Sequence, residues 1–182
     1  DFSYFIAQKH QARYGVEILG YTTKLNFRNA AGTLIDPENH STEFAAYINY
    51  KYNDTRIILD PSIRIQSYTS LGETSIEPRL GLKYNFNESI RIKGSFGMFS
   101  QNLMSTSSER NVVNLFSGFL SSTTSLPDSF QGDVVESALQ KAIHYIIGFE
   151  YDLNNNIDIN LEGYIKDFSQ LITENNNQIF ED

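Results

Sequence analysis

Apolar and polar residues alternate one by one along most of this chain. In 43–53, Phe44, Ala46, Ile48, Tyr50 and Tyr52 fall on one side, and Glu43, Ala45, Tyr47, Asn49, Lys51 and Asn53 on the other. A period of two is that of a β-strand whose faces meet different surroundings. The pattern repeats with Ile57, Leu59, Pro61, Ile63 and Ile65 against Arg56, Ile58, Asp60, Ser62, Arg64 and Gln66. It returns with Ile76, Pro78, Leu80, Leu82, Tyr84 and Phe86 against Glu77, Arg79, Gly81, Lys83 and Asn85. Ile90, Ile92, Gly94, Phe96 and Met98 oppose Arg91, Lys93, Ser95, Gly97 and Phe99. Ile143, Tyr145, Ile147, Phe149, Tyr151 and Leu153 oppose His144, Gly148, Glu150 and Asp152, and Ile157, Ile159 and Leu161 oppose Asp158, Asn160 and Glu162. Residues 14–27 carry a blurred version, and 2–8 read as the end of an earlier strand. The fold class is therefore all-β, an antiparallel up-and-down arrangement of about eight strands.

Short polar turns give each hairpin a register. A loop at Asn53-Asp54 pairs Tyr52 with Thr55, Tyr50 with Ile57, Ile48 with Leu59 and Phe44 with Ile63. Asn87-Glu88-Ser89 pairs Phe86 with Ile90 and Tyr84 with Ile92, and Asn154-Asn155-Asn156 pairs Leu153 with Ile157 and Tyr151 with Ile159. In all three, apolar meets apolar, which a one-residue slip would destroy. Pro61 and Pro78 interrupt strand patterns, and a turn about Thr69-Ser70 would set them opposite each other in a shared bulge. Long polar loops, near 28–42 and 104–140, alternate with the tight turns, and the connection 69–75 is intermediate. Tight turns at one end and large loops at the other are the layout of an outer-membrane barrel. An aromatic pair precedes each tight turn on the apolar face: Tyr50 and Tyr52, Tyr84 and Phe86, Phe149 and Tyr151. Together they read as the aromatic girdle of a membrane interface.

Composition narrows the classes. The net charge of −8 repels phosphates and speaks against nucleic acid as a partner. With no cysteine, disulfides and thiolate metal sites are excluded. Aromatic residues at 13% exclude a disordered chain. No apolar run is long enough for a membrane-spanning helix, but a spanning strand needs only about 9–11 residues. The mean hydropathy of −0.35 suits a barrel wall with a polar lumen.

Several segments then resemble the barrels of TonB-dependent outer-membrane receptors. They are His10-Gln-Ala-Arg-Tyr-Gly-Val-Glu17, Glu43-Phe-Ala-Ala-Tyr-Ile48 leading to Asp60-Pro-Ser-Ile-Arg64 and Tyr68, and Glu77-Pro-Arg-Leu-Gly-Leu-Lys-Tyr84. Gly94-Ser-Phe-Gly-Met-Phe-Ser-Gln101, Ala142-Ile-His-Tyr-Ile-Ile-Gly-Phe-Glu-Tyr151 and Leu161-Glu-Gly-Tyr-Ile-Lys-Asp-Phe168 continue the series. Their order matches a mid-to-late barrel, with Ser62 standing where a glycine is usual. The resemblance implies part of a 22-stranded barrel around a plug, located in the outer membrane of a Gram-negative cell. It implies a receptor that binds and imports a scarce ligand, such as an iron chelate, cobalamin, a glycan or a peptide, using energy relayed by TonB through the plug. Membrane lipid surrounds such a wall, and some relatives carry a surface lipoprotein lid. Neither plug nor TonB-contacting segment is recognisable, and Phe180-Glu181-Asp182 follows a polar loop, so the expectation is a fragment of a longer receptor.

No catalytic, cofactor or metal constellation emerges. His10, His40 and His144 have no metal-ligand spacing, and no phosphate-cradling loop or nucleophile elbow is present. The polar-face charges are the candidate site. Glu43, Lys51, Arg56, Arg64, Glu77, Arg79, Lys83, Arg91 and Lys93, with His144, would line the lumen as ion pairs. The apolar cluster Val112, Val113, Leu115, Phe116, Phe119 and Leu120 would pack within the long loop, or form a short helix or a ligand-contacting lip there. Two other readings fit the alternation. A complete eight-stranded outer-membrane barrel with a structural or adhesive role predicts that the first and last strands meet. A soluble carbohydrate-binding β-sandwich predicts that the face of Ile48, Leu59 and Leu80 is buried.

Overall fold

The computed structural model describes residues 1–24, 26–28, 32, 34–35, 38–105, 120–122, 129–130, 133–135, 137–154 and 156–170. Alternating sequence becomes strand wherever it was expected. The strands are β1 (Phe2–Ala7), β2 (His10–Lys24), β3 (Glu38–Asn53), β4 (Ile57–Tyr68), β5 (Glu73–Asn85), β6 (Ile90–Gln101), β7 (Gln140–Asn154) and β8 (Ile157–Gln170). They form one antiparallel, up-and-down sheet of eight strands in sequence order. Among the described residues β1 is hydrogen-bonded only to β2 and β8 only to β7, so the described sheet is open at both edges. Three two-stranded ribbons sit in the loops: Phe27–Arg28 with Leu34–Ile35, Leu103–Ser105 with Leu120–Ser122, and Ser129–Phe130 with Asp133–Val134. Among the described residues there is no helix. Val112, Val113, Leu115, Phe116 and Phe119 of the expected loop cluster, and the stretch 171–182, lie outside the described residues.

Tight turns are made by side chains that replace missing ladder bonds. The Asn87 Oδ1 accepts from the Ser89 and Ile90 N–H groups at 2.9 and 2.7 Å, and the Asn154 Oδ1 from Asn156 at 2.9 Å. These are Asx turns, the local chemistry for which asparagine is favoured. Each turn is also tied to its neighbour. The N–H groups of Asn53, Asn85 and Asp152 donate to the carbonyls of Lys9, Arg56 and Ser89. At the other end, Gly72 closes the β4–β5 turn at φ 67°, in the left-handed region open to glycine.

Two hairpins keep the expected register, Tyr84 opposite Ile92 and Tyr151 opposite Ile159, the latter with a bulge between Asp152 and Asn154. The β3–β4 hairpin does not. Tyr52 lies opposite Leu59 and Ile48 opposite Ile63, so the pairing is displaced by four residues and the turn holds 54–56. The displacement is even, so every side chain keeps its face. The prolines are not opposite each other either. Pro61 faces Leu80 and Pro78 faces Ile63, in a β4–β5 ladder that runs from Ile57↔Tyr84 to Tyr68↔Glu73 without a bulge. Proline lacks a ladder donor, and each turns that deficit outward. The β3–β4 pairing lapses beside Pro61, between Asn49↔Ser62 and Tyr52↔Leu59, and the β5–β6 pairing stops at Arg79↔Gly97, just short of Pro78.

The strands are longer than the apolar alternation at the loop end. β3 starts at Glu38 inside the expected loop 28–42, and β5 starts at Glu73 inside the expected connection 69–75. There both faces are polar, as in His40↔Thr22 and Gln66↔Ser75, so no hydrophobic period marks the strand.

The sheet has no apolar core. The only buried hydrophobic residues among those described are Ala45, Tyr68 and Leu139. Phe44, Ile63, Leu82 and Ile147, all on the apolar face, remain 45%, 39%, 47% and 68% exposed. Glu43, Gln66 and Glu77 on the opposite face are buried. Burial is thus inverted relative to a sheet folded around an oily centre.

Candidate functional site

The polar face carries two clusters. The one nearer the loops begins with Arg64, which lies on β4 between β3 and β5. Its Nη2 pairs with Glu17 of β2 at 2.8 Å, and its Nε donates to Gln66 Oε1 at 3.0 Å. The Gln66 amide then donates to Glu43 at 2.7 Å. Beside this chain, Glu77 is 2% exposed. It accepts from the Ser100 N–H at 2.9 Å, from the Ser100 hydroxyl at 2.6 Å and from Arg79 Nη2 at 2.7 Å. The β5–β6 ladder has already ended at this height, and the Glu77 carboxylate takes the place of the missing carbonyl acceptor. A buried carboxylate is tolerable only with such compensation. Tyr68 shares Ser100 across a 2.9 Å hydrogen bond.

Arg79 is held by a ring as well as by charge. Its Cζ lies 4.4 Å from the centre of the Phe99 ring, which lies in turn 4.6 Å from His144 at a tilt of 34°. The ring covers Gly97, where a Cβ would stand 2.8 Å from it. An aromatic side chain on the polar face thus fills the space of a glycine and supports a cation.

The second cluster lies near the tight turns. Glu150 receives Lys83 at 2.8 Å, Arg91 at 2.9 Å and Lys93 at 3.2 Å. Arg91 also grips Asp152, and Lys93 reaches across to Glu162. The Lys93 stem crosses directly over Gly148, which separates Lys93 from Glu162 in one cross-strand row. Three cations thus meet three carboxylates, and the cluster is self-neutralising. A depression of about 350 Å³ runs beside it over Gly81 and Ser95, between Asp60, Lys83, Lys93 and Glu162.

Most of the expected wall residues are therefore brought together: Glu43 with Arg64, Glu77 with Arg79 and His144, and Lys83 with Arg91 and Lys93. Lys51 shares their face opposite Gln11, apart from both clusters, and Arg56 lies in the β3–β4 turn. The carboxylates Glu150, Asp152 and Glu162 hold the lower cluster, and their even spacing on polar positions was the signal for it. Glu17 was obscured by the weak alternation of β2. Nothing in the sequence singles out the buried loop roots. Asn102 donates to Ser41 and Ser70 at 2.9 and 3.4 Å, and Glu73 accepts from the Ala138 N–H at 2.6 Å and from Ser137. A flat sheet would set β3 and β6 roughly 14 Å apart. The Ser41–Asn102 contact therefore means that the loop end folds inward on the polar side.

The six girdle aromatics lie along the tight-turn end. The Tyr84 and Phe86 rings meet edge to face at 4.7 Å. Tyr50 and Tyr52 flank His10, whose Nδ1 is 2.5 Å from the Tyr50 hydroxyl, adding a histidine that the pattern did not indicate. Phe149 faces Ile92 and Leu161, and Tyr151 faces Ile90 and Ile159. In the turns themselves Lys9 pairs with Asp54 at 2.7 Å. That contact holds the Asp54 carboxyl below its ordinary value and the Lys9 ammonium above its own. His40 lies at the loop end, bonded to Thr22 and paired with Glu38. Among the described residues no group of His, Asp or Glu is arranged to hold a metal ion. Comparison with protein-family models, with curated proteins and with solved structures gave no match.

Proposed function

We propose that this chain is part of the wall of a membrane-spanning β-barrel, eight of the 22 strands of a TonB-dependent outer-membrane receptor. The observation that carries the membrane reading is the height of the apolar band. On six consecutive strands, β3 to β8, the apolar face runs without a charge for about nine residues, as in 44–52, 57–65, 76–84, 90–98 and 157–165, matching the length of a spanning strand. At about 3.3 Å per residue this is about 26 Å along the strand. A tilt of about 40° reduces it to about 20 Å before side-chain reach is added, close to the roughly 25 Å apolar band of an outer-membrane barrel. Charges reappear on that face only beyond it, as at Glu38, Lys141 and Asp167.

The inverted burial supports the same reading. A soluble sandwich would cover Ile48, which is 52% exposed, with a second layer. An eight-stranded cylinder would pair β1 with β8, whereas among the described residues each is paired on one side only. Free edges suit a wall that continues on both sides. The motif resemblance supplies the receptor class: loops and plug bind a scarce iron chelate, cobalamin, glycan or peptide, and TonB drives its entry. The wall itself performs no bond chemistry. Near the tight turns its ion pairs are self-neutralising, so that part of the lining does not hold a charged solute by net attraction.

The test uses the whole protein that carries this chain, expressed in a Gram-negative cell. It is expected in the outer-membrane fraction, to migrate faster unboiled than boiled in detergent gels, and to be captured with TonB by chemical cross-linking. Recovery in the soluble fraction would end the membrane reading. An outer-membrane protein that TonB does not capture would retain the wall and end the receptor assignment.

A further inference from the structure

Two groups stand out among the strand glycines. On the polar face, the space over Gly15, Gly97 and Gly148 is filled by this chain's own Tyr47, Phe99 and Lys93, whose atoms stand 2.8, 2.8 and 2.5 Å from where a Cβ would be. On the apolar face, Gly94 and Gly163 lie on either side of Ile147 in the row Leu82, Gly94, Ile147, Gly163. A Cβ at these two would meet nothing closer than 3.8 and 4.0 Å. Neither has the positive φ found at Gly32 and Gly72. Glycine weakens a strand interior, and here neither packing nor backbone conformation within the chain requires it. The missing side chains leave a groove of about 530 Å³ walled by Leu80, Leu82, Phe96, Tyr145, Ile147 and Ile165. The Phe96 and Tyr145 rings, 5.4 Å apart, form one side. No charged side chain lines it.

We propose that this groove seats one acyl chain of a membrane phospholipid. The inference rests on the reading of the apolar face as lipid-facing, and names a particular seat within it. The groove lies inside the uncharged band, and the exposed apolar surface continues past it to Ile63, Phe149 and Leu161. A peptide segment lying there would bring backbone N–H and C=O groups to a surface offering them few partners, at a substantial desolvation cost. A hydrocarbon chain has no such groups and fills the space with dispersion contacts alone.

The test reconstitutes the whole protein in vesicles of phosphatidylethanolamine and phosphatidylglycerol doped with a phosphatidylethanolamine bearing a diazirine midway along one acyl chain. After irradiation the cross-linked residues are mapped. Tyr145, Ile147 and Ile165 are expected to label about tenfold more than Ile48 and Ile63, a preference of about 1.4 kcal/mol. Filling the groove with Gly94→Leu and Gly163→Leu should bring them down to the level of Ile48, while Gly20→Leu on the same face should leave the preference intact. Uniform labelling of the wild type, or a preference that survives filling, overturns the seat but leaves the membrane wall standing. Absence of labelling anywhere on the apolar face overturns the lipid-facing reading itself. If the double variant loses labelling at Ile48 and Ile63 through misfolding, the single Gly163→Val variant is read by the same criteria.

Discussion

A charge placed at Ile48 separates a wall in a bilayer from a sheet in water. Ile48 sits midway along the uncharged apolar face of 44–52, paired with Tyr14 and Ile63. In a membrane barrel, Ile48→Arg near the midplane costs about 2–4 kcal/mol, falling to about 0–1 near the interface. That is a loss of about 30- to 700-fold in the folded-to-unfolded ratio. In water the side chain is already 52% exposed, so the same change forfeits only the buried half of an isoleucine, about 1 kcal/mol. Asn49 is the matched control: it is at the same depth, on the polar face, and its amide donates to Asp60. Asn49→Arg keeps a partner in Asp60 and should stay within about 1 kcal/mol of wild type. Tyr52→Arg, at the girdle, should be mild for the depth reason. The assay is guanidinium unfolding of the whole protein in phospholipid vesicles, followed by gel mobility of the unboiled sample. An Ile48→Arg variant no less stable than Asn49→Arg would refute the bilayer placement.

Further tests probe the polar face. Gly148→Val puts carbon where the Lys93 stem now crosses and should break the Lys93–Glu162 pair with a small loss of stability; a double-mutant cycle with Glu162→Gln should then show the coupling lost. Glu77→Ala removes the acceptor of three hydrogen bonds and leaves Arg79 without its counter-charge, for a cost of about 2–3 kcal/mol; unfolding curves should show it clearly, with Glu77→Gln losing less. At the tight turns, the lowered Asp54 pKa gives a contribution present above the ordinary carboxylate value and lost as pH falls through the lowered one. The raised Lys9 pKa gives a contribution present below the ordinary lysine value and lost as pH rises through the raised one. Between these limits the contact should be independent of pH, and a Lys9→Met variant should lose the dependence at both ends in unfolding titrations.

Face parity was legible from sequence because a strand reveals it residue by residue. Register was not, because it is a relation between strands. The β3–β4 hairpin illustrates the difference. Pairing Ile48 with Leu59 or with Ile63 sets apolar against apolar equally well, so hydrophobic matching cannot separate registers that differ by an even step. The separation came from the Asp54 turn and from Pro61, whose missing N–H is accommodated where pairing with β3 lapses. Strand ends at the loops were invisible for a related reason. At Glu38–Thr42 neither face is apolar, and alternation vanishes although the ladder continues. Buried polar groups such as Glu77 and Asn102 escaped notice because their burial comes from strands distant in sequence folding toward each other.

What stabilises a sheet with three buried hydrophobic residues among those described is then a question of where hydrophobic stabilisation comes from. Folding an ordinary domain draws on apolar burial to offset about 1–2 kcal/mol of backbone entropy per residue. Internal burial here is too small for that, and exposed Leu82 and Ile147 contribute little in water. The ladder, the Glu150 and Glu77 networks and the linked turns give the sheet its geometry, but hydrogen bonds each return only about 1 kcal/mol net. Under the proposed membrane reading, the remainder comes from a phase outside the chain that covers the apolar face. A bilayer does so on every strand at once, and it requires that backbone groups be paired within the wall. Among the described residues the outer edges of β1 and β8 are unpaired, and the proposed membrane setting would require partners for them. On that reading the same physics governs both the orientation of the faces and the pairing of the edges.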